Sequence, residues 1–462
     1  MNLLIKKAGL IKKGSEDFEV LDVLICGEEI KEIGQDILSP GASIIDANSK
    51  ILVPGLVDAH VHFREPGQEY KEDLRTGSLA AAAGGFTTVI AEPNTTPPID
   101  TPVRLRRLLD HARKKSVINF YSKAAITKGM KGNSLTNIFK LKEAGARAIS
   151  DDGNPIAGRK LMGNALAKGK ESGILVTPHC EESVSYREKI LRQREKLEGN
   201  SIFSLMPYAS PEGGPFSSEA GFIKRDVELA ERTGANLHIS HVSLAKSVDI
   251  IAEAKKRGVK VTAEATPHHL LLTEEMAKEV QIKSNAKVNP PLRSEEDVAA
   301  VREGLANGVI DIIASDHAPH SPEEKNRDWD EAPFGIIGLE TTLGLILTFL
   351  VRPGILTLYQ AIEKMTTLPA RIFGLDRFGV GELKPGAKAD LTLIDLDRKW
   401  KVDANRFYSK GRNCPFDGWE LYGKAILTIV AGRIVAKDGI IMFNESFGGS
   451  TANHSSRIIS PT

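Results

Sequence analysis

The chain has 462 residues, of which 41% are hydrophobic and 26% charged, with a formal net charge of +1. That is an ordinary soluble composition; its charge balance gives no electrostatic case for nucleic acid or an anionic membrane surface, while leaving room for a local basic patch, and no apolar run approaches the ~18 residues of a transmembrane helix. Three scattered cysteines, Cys26, Cys180 and Cys414, form neither a disulfide framework nor a thiolate metal site, and Met1–Lys7 lacks the apolar core of a secretory signal, so the cytoplasm is the expected location.

In chain order, short strands with turns are predicted first, at Asn2–Ile5, Phe18–Ile25 and Glu29–Ile33. From residue 51 to about 320 the pattern alternates. Apolar, β-branched runs occur at Ile51–Val57, Phe86–Ala91, Val117–Tyr121, Ala146–Ile149, Ile174–Thr177, Asn236–Ile239, Val259–Ala263 and Val309–Ala314. Helix-period segments lie between them, at Tyr70–Ala83, Val103–Lys115, Leu135–Ala144, Val227–Thr233, Ala245–Arg257 and Glu295–Ala306, often closed by glycine as a C-cap. Alternation of this kind implies βαβ units with parallel strands. Eight runs favour a (β/α)8 barrel, with an open doubly wound sheet as the alternative on count alone. Strand signals return at Asp390–Ile394, Ile426–Ala431 and Arg433–Ala436, so both termini are expected to build one small β unit. The stretch Asn444–Ser456 is polar and rich in small residues, as a mobile tail would be.

Polar residues collect where the runs end. The first run leads to His60 and His62, the second to Asn94, the fourth to Asp151 and Asp152, the fifth to His179, the sixth to His241, the seventh to His268 and His269, and the eighth to Asp316, His317 and His320. All of the histidines except His111, His238 and His454 lie at or just beyond these ends, and barrel enzymes carry their chemistry there. Residues i and i+2 of a strand share a face, so His60 and His62 are placed to chelate one metal. Imidazole and carboxylate donors without cysteine suit Zn, Mn, Co or Fe(II). Four histidines and one or two aspartates suffice for two ions about 3.5–4 Å apart that share an activated water. A terminal aspartate can take that water's proton and pass it to a leaving nitrogen, which points to hydrolysis or ring closure at an amide carbon.

The stretches "PGLVDAHVHFREPG", "GGFTTVIAEPNTTPP", "SDDG", "HCE", "HISHVS", "VNPPLR" and "ASDHAPH" together resemble the dihydroorotases of the amidohydrolase superfamily, in the branch with aspartate rather than a carboxylated lysine between the metals. The resemblance runs through to "PFDGWELYGKAILTIVAGRIV" near the C-terminus. It implies an α/β fold: a (β/α)8 TIM-type barrel over residues 53–375, a small β-sandwich from residues 1–52 and 376–442, and a flexible tail over 443–462. It implies that His60 and His62 bind the more buried metal, that Asp152 bridges both metals, that His179 and His241 hold the second, and that Asp316 is both ligand and proton shuttle. Arg64 and Asn94 would grip a substrate carboxylate, and His62, Asn289, His320 and the backbone at Phe334 and Gly335 would complete the pocket. The implied cofactor is Zn2+, one or two ions per subunit. The implied reaction is the reversible cyclisation of N-carbamoyl-L-aspartate to L-dihydroorotate in pyrimidine biosynthesis. Besides that small-molecule substrate, the implied partners are a second copy in a homodimer and aspartate carbamoyltransferase.

Two rivals follow from the same residues. One is a hydantoinase or allantoinase type of cyclic amidase; the other is a non-catalytic relative serving aspartate carbamoyltransferase. Arg64 speaks against the first, because a guanidinium pairs with a carboxylate that a plain hydantoin ring lacks, although pairing with Glu65 or Asp73 is its structural alternative. Six filled ligand positions speak against the second. Asp151 is expected to cap or support; His238, His268, His269 and His317 to be structural; Cys180 to be a buried free thiol; and Lys160, Lys168 and Lys170 to lie on a helix. Glu92 departs from the family, which usually has an apolar residue there. Residues Pro319–Pro333 are the candidate lid.

Overall fold

The apolar run Ile51–Val57 serves two sheets. In the computed structural model, which describes residues 2–15, 17–181, 219–443 and 457–459, the chain passes from one sheet to the other at Gly55. Five strands precede that point: β1 (Asn2–Ile11), β2 (Phe18–Cys26), β3 (Glu29–Gly34), β4 (Ser43–Asp46) and β5 (Ile51–Pro54). The barrel begins with β6 (Leu56–Val61), so its first strand starts later than the apolar run does. The reason is steric: a Cβ at residue 55 would lie 2.0 Å from the Thr87 hydroxyl, so only glycine lets the chain pass this closely.

The barrel continues through β7 (Phe86–Ala91), β8 (Asn119–Ser122) with β9 (Ala124–Ala125), β10 (Ala148–Ser150), β11 (Leu175–Val176), β12 (Leu237–Ile239), β13 (Val261–Ala265) and β14 (Ile312–Ile313). Only Lys123 separates β8 from β9, which occupy one barrel position. Neighbouring strands pair in parallel. A parallel bridge from Val61 to His317, with the His62 amide donating to the His317 carbonyl at 2.8 Å, closes the ring. Crossover helices include Leu74–Ala83, Pro102–Lys115, Arg159–Ser172, Ala245–Lys256 and Glu295–Ala306. The first starts four residues later than its apolar period suggests, because Asp73 accepts the Arg75 and Thr76 amides at 2.9 and 2.8 Å and fixes the N-cap there.

After the barrel come β15 (Leu391–Lys401), β16 (Glu420–Val430), β17 (Arg433–Lys437), β18 (Ile440–Phe443) and β19 (Arg457–Ile459). Antiparallel pairing of β15 with β5 joins both ends of the chain into one ten-stranded sheet. Ile5 and Ile25 from its first half meet Leu391 and Ile429 from its second in a separate core, as in a sandwich. Each fully buried aliphatic side chain there contributes ~1.5–3 kcal/mol. Apart from β19, the expected tail after Phe443 lies outside the described residues. Among those described, no helix is long and apolar enough to cross a membrane.

Candidate metal centre and substrate pocket

The C-terminal ends of β6, β10, β11, β12 and β14 bring His60, His62, Asp152, His179, His241 and Asp316 into one buried cluster. Two groups of potential ligands share Asp152: one with His60 and His62, the other with His179 and His241. His60 Nε2 lies 3.6 Å from Asp152 Oδ1 and 3.5 Å from Asp316 Oδ1. His62 Nε2 lies 3.0 Å from Asp316 Oδ1. On the other side, His179 Nδ1 and His241 Nε2 lie 3.3 and 3.5 Å from Asp152 Oδ1, and 3.0 Å from each other. His241 and Asp316 adopt positive φ, at 37° and 47°, a costly conformation for non-glycine residues that tends to mark functional sites.

The donor set fits a divalent cation. His60 Nε2 is buried and has no hydrogen-bond partner, and its imidazole and carboxylate neighbours stand at about the spacing of ligands around a single ion. Charge makes the same case. Asp152, Asp316, Glu92 and Glu264 are all buried around these histidines, and Lys123 is the buried lysine among them. Burial works against an ionised Asp152, but the adjacent His179, His241 and His60 imidazoles outweigh it and hold the carboxyl well below its ordinary range. Asp316 is held low in the same way: burial opposes its charge, and His60 and His62 prevail. Both carboxylates are therefore ready to bind metal without first losing a proton.

Further residues aim these ligands. Glu264, next to the C-terminal end of β13, accepts from His60 Nδ1 at 2.6 Å and contacts His238 Nε2 at 3.1 Å, while His238 Nδ1 meets Thr262 Oγ1 at 2.8 Å. A proton on Nδ1 leaves the Nε2 lone pair of His60 facing the cluster. Asn94 does the same for His62, accepting from Nδ1 at 2.9 Å while its amide nitrogen donates to Asp152 Oδ2 at 3.1 Å. The Asn289 amide stands 3.1 Å from His179 Nε2. Asp58 accepts the amides of His60 and Ser315, both at 3.1 Å, so one carboxylate ties the first barrel strand to the last. Beneath the cluster Glu92 pairs with Lys123, both side chains fully buried, with Glu92 Oε1 3.7 Å from His60 Nε2. The acid that departs from the family pattern is thus matched by a base on the neighbouring strand.

Arg64 lies beside the cluster, buried, at φ 57°. Its Nε donates to the Pro319 carbonyl at 3.1 Å, and its Nη2 lies 3.1 Å from His320 Nε2. Neither proposed structural partner holds it: Glu65 pairs with Lys115 at 2.7 Å, and Asp73 pairs with Lys410. Burial brings its guanidinium down to about 10, so it remains charged. Lys71 donates to His320 Nδ1 at 3.2 Å, which leaves the proton on Nε2 for the Phe334 carbonyl at 2.9 Å. The Gly335 amide donates to the Lys287 carbonyl at 2.9 Å. The candidate lid is pinned from below: Lys287 Nζ donates to the Ala332 carbonyl at 2.7 Å, and Lys325 Nζ to the Pro333 carbonyl at 2.9 Å.

Most of the remaining residues singled out in the sequence have structural partners; His268 is buried against the His269 ring, 4.5 Å between centroids, and its Nε2 has no hydrogen-bond partner. Asp151 accepts the Ile126 and Thr127 amides at 2.8 and 3.1 Å. His269 contacts Thr266 Oγ1 and the Pro290 carbonyl, at 2.8 and 2.9 Å, and His317 accepts the Gly338 amide at 3.2 Å. Cys180 is a buried free thiol. Lys160, Lys168 and Lys170 lie on the Arg159–Ser172 helix. Sequence reasoning missed Glu264 and Lys123; the available signal was a charge set among alanines, in Ala263-Glu-Ala and Lys123-Ala-Ala.

Residues 51–435 match the amidohydrolase family. The chain is 46% identical over 441 residues to a dihydroorotase of Pelotomaculum thermopropionicum, covering 96% of this chain and 100% of that one. It is 42% identical over 442 residues to a dihydroorotase of Acetivibrio thermocellus, with 95% and 100% covered. Among solved structures it resembles the L-hydantoinase (dihydropyrimidinase) of Arthrobacter aurescens, with a TM-score of 0.84 at 29% identity over 96% of this chain and 97% of that one.

Proposed function

Because this chain belongs to the amidohydrolase family and, within it, to the dihydroorotases, we propose that it interconverts N-carbamoyl-L-aspartate and L-dihydroorotate with Zn2+ as its metal, one or two ions per subunit. His60, His62, Asp152, His179, His241 and Asp316 would hold the zinc. When bound, zinc acidifies water and polarises an amide carbonyl. The protein's own groups supply the rest. Asp316, kept ionised by its histidine neighbours, takes the attacking water's proton and passes it to the leaving ring nitrogen in hydrolysis; in ring closure it takes the proton from the attacking nitrogen and gives it to the departing oxygen. Arg64 and Asn94 meet the substrate carboxylate, and His62, Asn289 and His320 complete the pocket, with Asn94 and Asn289 also in contact with His62 and His179. The Phe334–Gly335 backbone bounds the pocket beside His320.

The observation that carries this substrate is Arg64: a buried guanidinium at the metal cluster whose protein contacts are a carbonyl and an imidazole, with no carboxylate among them. Dihydroorotate brings that carboxylate. The hydantoinase reading is favoured by the overall fold alone, and a hydantoin ring would leave this buried guanidinium without a carboxylate in direct contact. The test is dihydroorotate hydrolysis, followed by loss of its ring absorbance, with metal content measured on the same sample. Turnover that chelation abolishes and zinc restores is expected. Bound metal and rapid hydantoin hydrolysis without dihydroorotate turnover would replace the substrate; a metal-free, inactive protein that zinc does not rescue would replace the enzyme reading altogether.

A further inference from the structure

At the opposite end of the barrel, the N-terminal ends of β10, β11, β12 and β13 surround a cavity of about 440 Å3. Its charged lining is Lys142, Arg147, Lys260, Arg371 and Arg377, and no acidic side chain contributes to it. Volume and concavity fall in the range of small-molecule sites. Cations converging over a low-dielectric floor focus a positive potential into such a space.

Arg147 makes this more than a solvated surface patch. Its guanidinium is held between the rings of Tyr121 and Phe378, 4.8 and 4.6 Å from their centroids. Its Nε is buried with no hydrogen-bond partner. Among the described residues no carboxylate pairs with it, and burial, with Arg377 nearby, lowers its affinity for a proton. A guanidinium fixed by stacking, short of acceptors and surrounded by further cations is arranged for an oxyanion. One carboxylate would leave most of this charge uncompensated. A phosphoryl group brings nearly two charges and three strong acceptor oxygens.

We propose that this cavity binds the phosphoryl groups of a small phosphorylated molecule, at a site separate from the metal centre. Its floor is Phe373, whose ring also packs on His238, 5.4 Å between centroids, and under Lys123 Nζ at 5.5 Å. One aromatic side chain therefore separates an occupant of the cavity from the residues that orient His60.

The test is calorimetric titration of the metal-loaded protein with inorganic pyrophosphate, for wild type and for R371Q/R377Q. Both arginines are exposed, and the one packing contact at stake is Arg377 over the Phe378 ring at 5.2 Å, so the substitutions mainly remove charge, and unchanged dihydroorotate turnover without pyrophosphate verifies the fold and the metal centre. Saturable binding of one pyrophosphate per chain is expected, weakened at least about tenfold in R371Q/R377Q through lost charge-assisted hydrogen bonds, and weakened again by salt. R147Q should show the same loss. Equal binding by wild type and R371Q/R377Q would place the anion elsewhere, including at the metals, and overturn the proposal. So would no binding by wild type. Binding of an oligoglutamate peptide but not of pyrophosphate, lost in R371Q/R377Q, would assign the face to an acidic protein partner instead.

Discussion

A single carboxylate, Glu264, decides which nitrogen of His60 faces the metal cluster, although it is not one of the six proposed ligands. Partners of this kind typically change metal affinity by about 10–100-fold, so Glu264→Gln should weaken zinc binding by about that factor in competition with a chromophoric chelator. An unaltered affinity would mean that the ligands hold their own orientation. Arg64 belongs at the same scale. Losing a charge-assisted contact of ~1.5–3 kcal/mol raises KM by roughly 10–150-fold, and Arg64→Met should do so with a much smaller effect on kcat; an unchanged KM would remove the carboxylate argument. The six proposed ligands were legible because histidine and aspartate at strand ends leave a periodic trace. Glu264 was not, because its partner His60 lies 204 residues away and nothing near Glu264 in the sequence points there.

Between elements, the Glu92–Lys123 pair links the second barrel strand to the third. Removing one member of a buried pair strands the other charge and costs about 3–5 kcal/mol, whereas replacing both with apolar groups of similar volume is often neutral. Glu92→Met should therefore lower the denaturant midpoint sharply, and Glu92→Met with Lys123→Met should recover most of the loss; no recovery would mean that the charges serve the metal cluster directly. A second link is Glu340, which accepts the Tyr408 and Ser409 amides at 2.9 and 3.3 Å, and whose carboxyl burial pushes up to about 8. The unfolded group titrates near 4.3, so the native chain holds this proton more tightly. The group's stabilisation is complete below about pH 4.3 and is lost as pH rises through about 8. Glu340→Gln should flatten the fall in stability between about pH 5 and 8 in chemical denaturation. Because Glu340 lines a cavity of about 200 Å3 and keeps some solvent contact, the slope is smaller than a full proton's. Strand and helix order was readable from apolar period. The change of sheet at Gly55 was not, since Ile51–Val57 is equally apolar on both sides of it, and neither was the helix start at Leu74, which Asp73 sets by capping.

Over the whole molecule, the six proposed ligands come from the ends of five strands spread between residues 60 and 316, so bound metal adds a further tie between segments already joined by strand pairing. Ligand present at about 100 times its Kd adds ~2.7 kcal/mol to stability. Chelation should accordingly lower the Tm by about 3 °C, with recovery on adding zinc; an unmoved Tm would show that the barrel top is rigid without metal. The sheet that unites the two termini has a consequence of another kind, in time. Strand β5 leaves the ribosome before any of the barrel, yet its partner β15 follows only after the whole barrel has been made. At ~5–20 residues per second that interval is on the order of tens of seconds. Throughout it, the apolar segment Ile51–Pro54 offers an unpaired edge to any neighbouring nascent chain, so the arrival of β15, after the barrel is complete, is what ends this exposure to aggregation.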